Sequence, residues 1–237
     1  MKEKILAQDR DHLLKLIEQE IELHGLRCDL NHIDVSKIKD MSSLFAYSQF
    51  NGDISKWDTS GAVDMGYLFS SSNFNGDISG WNLSSVINMF ATFANSLFNG
   101  DISKWNVSNV INMQSMFNGS VFNGDISQWN TSKVESMKLM FKDSQFNSDI
   151  SGWNVSKVKD MSWMFNDSKF FGDISQWDAR GVTTIYSMFS NCSAPVPYWL
   201  KINNYEQRAL VIESYQCKKQ LDILLVKKEK ENVIIKL

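Results

Sequence analysis

Proline is scarce in this sequence. Only two of 237 residues are proline, and both fall near the end, at 195 and 197. Cysteine is scarce too: Cys28, Cys192 and Cys217 lie far apart with no CxxC. That argues against a disulfide framework or a zinc site and fits a reducing cytoplasm. No apolar run approaches the roughly 18 residues a membrane span needs. The first twenty residues scatter charges among their apolar positions, unlike a secretory leader, so the expected location is cytoplasmic. Charge of one sign is also lacking. With 24 basic residues against 27 acidic ones, the net charge is −3. A nucleic-acid partner usually requires a strongly basic face, so none is expected. What the chain does have is 8 Trp, 15 Phe and 11 Met. That load supports a sizeable core and excludes disorder.

Most of these residues belong to an internal repeat. Trp57, Trp81, Trp105, Trp129, Trp153 and Trp177 are spaced by 24 without an insertion. Ile54, Phe50 and Met41 each begin a series of the same period, and a second Phe series runs from Phe45 to Phe189. The unit reads FNGDISxWNxSxVxxMxxMF, and a weaker first copy is visible at CDLNHIDVSKIKDMSSLF. A fixed period predicts one coil per unit, with neighbouring coils sharing a continuous core. The expected fold class is α/β: a leucine-rich-repeat-like solenoid of about seven 24-residue coils over 28–193. An N-terminal helical cap is expected over 1–27 and a C-terminal cap over 194–237.

Within a coil, Val110, Met113, Met116 and Phe117 have helical spacing, and Ser108 suits an N-cap. Asp-Ile-Ser before each Trp reads as a short strand of a parallel sheet. At the N-terminal end, Leu13, Leu14, Ile17 and Ile21 predict a helix within 5–24 with Gly25 as C-cap. At the other end, Tyr205 to Lys219 reads as a helix. LDILLV and NVIIKL, separated by KKEKE, read as a hairpin.

The runs FN-x-D-I-S-x-W and S-x-V-x-x-M-x-x-M-F, six times in register, resemble the BspA-like leucine-rich repeats. That family is often filed as a mycoplasma repeat of unknown function. The likeness covers about 70% of the chain. It implies a leucine-rich-repeat-type solenoid, mostly surface or secreted, that binds partner proteins, and it carries over no catalytic residue.

Several constellations invite chemistry. Asp29, Asp53, Asp77, Asp101, Asp125, Asp149 and Asp173 form a ladder of like charge. It calls either for backbone N–H partners in each turn or for cations, and the turn reading is preferred, so no metal or cofactor is expected. Asn82, Asn106, Asn130 and Asn154 formally match glycosylation acceptors but read as turn residues. His12, His24 and His32 form no ligand spacing and read as solvated surface histidines. Serines recur in every coil, whereas a nucleophile would be a single departure with a base beside it. No enzyme is therefore expected.

Departures between coils carry the remaining information. Tyr67, Ile87, Phe90, Ile111, Leu139, Trp163 and Tyr186 are large apolar residues in columns that otherwise hold small or polar ones. Placed between core positions, they should face outward as a partner-binding surface. The expected function is a non-enzymatic protein-interaction module, a monomer when free, that binds another protein through one long face. The alternative is a cytoplasmic immunity protein or antitoxin-like inhibitor that masks a toxin or enzyme.

Overall fold

A computed structural model describes residues 3–202 and 204–234, with side chains of the last helix described to Leu225. From the first coil onward the chain winds in 24-residue coils. A run of parallel bridges joins Asp40 to Asp64, then Asn88, Asn112, Ser136, Asp160 and Thr184, one per coil. The core runs the length of the stack. Every repeat Trp, every Phe of both series and every Met of the series is buried. The indoles stack at 6.3–6.5 Å between centroids. The Phe50 column stacks at 6.2–6.4 Å and the Phe45 column at 5.2–5.7 Å. Each of the six repeat indoles donates its N–H to a carbonyl of the preceding coil, as Trp105 Nε1 does to Ile78 O at 3.0 Å, whereas the buried Trp199 of the C-terminal cap has no partner for its N–H.

The helix expected over Val110–Phe117 is absent. That segment is a chain of turns, in which Met116 donates to Met113 O and Asn118 to Ser115 O. The alternate amides donate outward instead. Met113, Ser115, Phe117 and Gly119 donate to Ser136, Lys138, Met140 and Lys142 of the next coil at 2.7–3.2 Å. Inter-coil bonding thus uses the N–H groups an α-helix would spend on itself. Turns of this kind need a positive φ at their third residue. Ser43, Tyr67, Ala91, Ser115, Leu139, Trp163 and Ser187 supply it at φ 50–60°. A second such column holds Tyr47, Ser71, Asn95, Gly119, Asp143, Asp167 and Asn191, the last five being residue types that tolerate it well.

The strand expected at Asp-Ile-Ser is also displaced. Beyond the single bridge from Asp29 to Asp53, that segment carries none, and the bridges lie on the opposite side, at 40/64/88. Side chains hold the Asp-Ile-Ser side together. Asn51, Asn75, Asn99 and Asn123 each accept through Oδ1 from the backbone N–H of the Asn one coil later, at 2.7–2.9 Å.

At the N-terminal end, β1 (Ile5–Leu6) pairs in parallel with β2 (Ile33–Asp34). Residues 5–6 are therefore strand, not the start of the helix. α1 (Arg10–His24) is capped by Asp9 and ends at Gly25 with φ 82°, and it buries Leu13 and Ile17. At the other end, 3-10 turns at Ala179–Gly181 and Tyr198–Lys201 lead into α2 (Tyr205–Ile234). The hairpin is a correction: LDILLV and the first residues of NVIIKL are one continuous helix, while 235–237 lie outside the described residues. The intervening Lys and Glu are good helix formers, and no Gly or Pro breaks the run.

Candidate interaction surface

The turn ladder fixes what each coil shows to solvent. Met65, Leu68 and Phe69 turn inward and are buried, while Tyr67 is exposed. Tyr67 donates its N–H to Phe90 O at 2.8 Å, which brings the two side chains together edge to face at 4.9 Å. The same relation recurs at the far end of the stack. Trp163 donates to Tyr186 O at 2.9 Å, and their rings meet edge to face at 5.0 Å. Lys138 lies over the Trp163 ring at 5.4 Å from its centroid, a cation–π contact that increases the polar character of this patch.

The seven residues singled out by sequence thus form two aromatic pairs and an aliphatic couple. Ile87 and Ile111 are exposed neighbours, with Ile111 N–H donating to Ile87 O. Leu139 joins neither pair: it is half-buried and bonds to Ser162 O. Tyr67, Leu139 and Trp163 are large side chains at positive φ, which costs about 1–2 kcal/mol for each residue without a compensating contact. Coils that carry Ala91, Ser115 or Ser187 at the same place keep the same backbone, so the bulk is not needed for the turn.

Sequence comparison between coils missed other exposed apolar residues. Leu97 and Val121 are exposed in a column otherwise filled by Gln49, Asn73, Gln145 and Lys169. Phe171 is 64% exposed where five earlier coils carry Asn. Both departures were visible in the columns. On α2, Leu221, Ile223, Leu224 and Leu225 are exposed, a surface hidden by reading this segment as strand.

The Asp ladder takes its partners from the backbone. Asp29, Asp53, Asp77, Asp101, Asp125, Asp149 and Asp173 each accept through Oδ1 from the N–H two residues on, at 2.8–2.9 Å. The backbone N–H and then the hydroxyl of the following Ser hold the Asp77, Asp101, Asp125 and Asp149 carboxyls below the usual range. Asn82, Asn106, Asn130 and Asn154 make the same turn with Ser84, Ser108, Ser132 and Ser156. Ser108 is thus a donor to Asn106, not a helix cap. Among the described residues no group of three His, Cys, Asp or Glu side chains is arranged to hold a metal.

A folded-state pKa below the unfolded value stabilises above the unfolded pKa and is lost as pH falls through the folded one. Melting temperature should therefore drop between pH 5 and pH 3, roughly across the normal carboxylate range. Replacing Asp77, Asp101 and Asp125 together by Asn keeps the acceptor oxygen. It should flatten that drop while leaving the neutral-pH melting temperature nearly unchanged.

One histidine reading is corrected. His32 is not a solvated surface group: its side chain is only 7% exposed beneath α1, with Nε2 3.2 Å from Glu20 Oε1. His24 Nε2 lies 3.7 Å from the same carboxylate. Later coils expose this position, but the first coil lies under a helix.

A family model described as a Mycoplasma protein of unknown function, DUF285, matches residues 18–121 and again 92–197. The chain belongs to the DUF285 family. The two DUF285 matches overlap and together span the coils and the C-terminal half of α1. No curated protein and no solved structure matches the chain. The DUF285 repeat thus supplies a family of unknown function, and the exposed columns are where one member differs from coil to coil.

Proposed function

We propose that this chain is a solenoid of the BspA-like leucine-rich-repeat kind and a non-enzymatic module that binds another protein through the flank carrying Tyr67, Phe90, Trp163 and Tyr186. The observation that carries this reading is the repeated edge-to-face pair. Two such pairs sit four coils apart, about 19 Å at a strand-like step, on a backbone whose turns do not need aromatic residues there. Aromatic side chains with a polar rim are enriched at protein interfaces and supply most hot spots. A rigid stack loses little entropy on docking, so these contacts translate into affinity. Each Asp and Asn of the ladders gives its Oδ1 to a turn N–H, a structural role that supports the non-enzymatic reading.

The experiment is affinity capture with the intact chain, read by mass spectrometry, against the double variant Phe90→Glu with Trp163→Glu. Both side chains are half-buried at the rim, so a thermal melt accompanies the capture. The variant is expected to fold and to lose partner capture by about tenfold or more, the loss of two hot-spot contacts. Undiminished capture by a folded variant would remove this flank as the site.

A further inference from the structure

The stack has a hydrogen-bonding polarity. In six successive coils, four alternate amides donate to carbonyls of the following coil, ending with Met161, Trp163, Phe165 and Asp167 donating to Thr184, Tyr186, Met188 and Ser190 at 2.9 Å. The carbonyls of the alternate residues do not point onward as acceptors. Ile185 O, Ser187 O and Phe189 O accept from Met188, Ser190 and Cys192 within their own coil. The side of each coil that faces the next therefore presents a row of four donors, flanked by carbonyls that accept a return bond, as Lys159 O does from Thr183 N–H at 2.9 Å.

The two ends are treated differently. On the acceptor end, Arg10 reaches from α1 and donates through Nε and Nη2 to Ser42 O at 2.9 and 2.7 Å. On the donor end, the amides of Ile185, Ser187, Phe189 and Asn191 have no partner among the described residues. α2 covers the other side of this last coil. It packs on Ala179–Gly181, and Arg208 donates to Val182 O. Beside the open amides lies a recess of about 660 Å³, lined by residues 183–190 and Leu200. No ionised side chain occurs between 183 and 192.

We propose that this donor row is a docking edge for a segment of a partner polypeptide that presents main-chain carbonyls at alternate residues, with an apolar side chain in the recess. The complementarity is electrostatic. The row carries four N–H dipoles and no ionised side chain of its own, the nearest carboxylate shown being Asp167, whose Oδ1 accepts from the Asn191 side chain at 2.8 Å, and in every earlier coil the same row is met by backbone carbonyls. A second copy is a poor occupant. Two donor rows cannot pair, and in both molecules a cap lies over the same side of the coil: β1 against Ile33–Asp34 and α2 against Ala179–Gly181. At the acceptor end of another copy, Arg10 already donates to Ser42 O, so that row is not free to receive all four donors. The segment adds to the stack as strand addition does to a sheet edge, chiefly through its carbonyls.

The test uses an end-blocked peptide with the sequence of residues 159–168, which in the stack supplies the carbonyls of Asp160, Ser162, Met164 and Asn166. Added at millimolar concentration to the intact, isotope-labelled chain, it is expected to shift the amide signals of Ile185, Ser187, Phe189 and Asn191 together. Ser187→Asp puts a carboxylate on the row at a φ that Asp tolerates, and should weaken the peptide by about tenfold or more, a change in Kd read from the titration. Phe90→Glu should bind the peptide unchanged, which separates failure of this edge from failure of the flank proposed above. Four unmoved amides at the peptide's solubility limit would overturn the proposal. So would the same shifts appearing without peptide as protein concentration rises, since the occupant would then be a second copy.

Discussion

Phe117→Ala is expected to remove about 3–5 kcal/mol of folding stability. The ring is fully buried and touches four others: Phe93 and Phe141 at 5.7 Å in its own column, Phe122 at 4.5 Å and Trp129 at 6.4 Å. Truncation leaves a void that the flanking coils cannot fill, because each is tied to the next by the four-bond donor row and by return bonds such as Glu135 N–H to Ile111 O. Domains of this size hold only about 5–15 kcal/mol in total, so the urea midpoint should fall steeply. A midpoint shift with unchanged slope means that the coils still unfold together. A shallower slope means that the stack has split at the cavity. A loss below about 1 kcal/mol would show that the column repacks and the stack is not rigid.

The second large effect is expected at Gly52. A methyl group there would land against the Cys28 carbonyl oxygen and within 2.7 Å of the Phe50 ring. The carbonyl is backbone, and it already accepts from Asp53 N–H at 3.1 Å. Gly52→Ala should therefore cost about 1–3 kcal/mol or more through forced backbone displacement. Gly80 belongs to the neighbouring coil but has nothing within 4 Å of its prospective methyl group. Gly80→Ala should leave stability within about 0.5 kcal/mol. Thermal melts of the two variants side by side check the contrast. Equal effects would mean that glycine acts here through the unfolded chain rather than through the close approach.

The columns were legible because identity at a fixed spacing leaves few ways to bury the same residue repeatedly. Trp105, Ile102, Phe98 and Phe117 all sit in the core. Local conformation was not legible from the same spacing. Val110, Met113, Met116 and Phe117 fit a helix, but linked turns bring the same positions inward. The signal for turns was present in the residues at 95, 119, 143, 167 and 191, all Asn, Asp or Gly and all at positive φ, although Tyr47 and Ser71 open the same column. In the other positive-φ column, Tyr67, Leu139 and Trp163 hide it, since large side chains seldom adopt that conformation. Those residues were recognisable as candidates for a surface because they break their column. Their pairing, Tyr67 with Phe90 and Trp163 with Tyr186, depends on a 23-residue offset that only the inter-coil bonds reveal. His32 was misread for a different reason. Burial by a cap depends on where α1 lies, which the repeat does not encode.

The donor row of each coil meets the same acceptor row in the next, so the molecule works as a ratchet with a fixed tooth. One added or lost residue inside a coil would shift every Trp, Asn and turn partner beyond it out of step. Removal or duplication of 24 residues leaves each remaining tooth engaged. Length in this architecture is therefore a counted quantity. The span between the aromatic pairs can change only by whole coils, and a partner that bridges them reads that count.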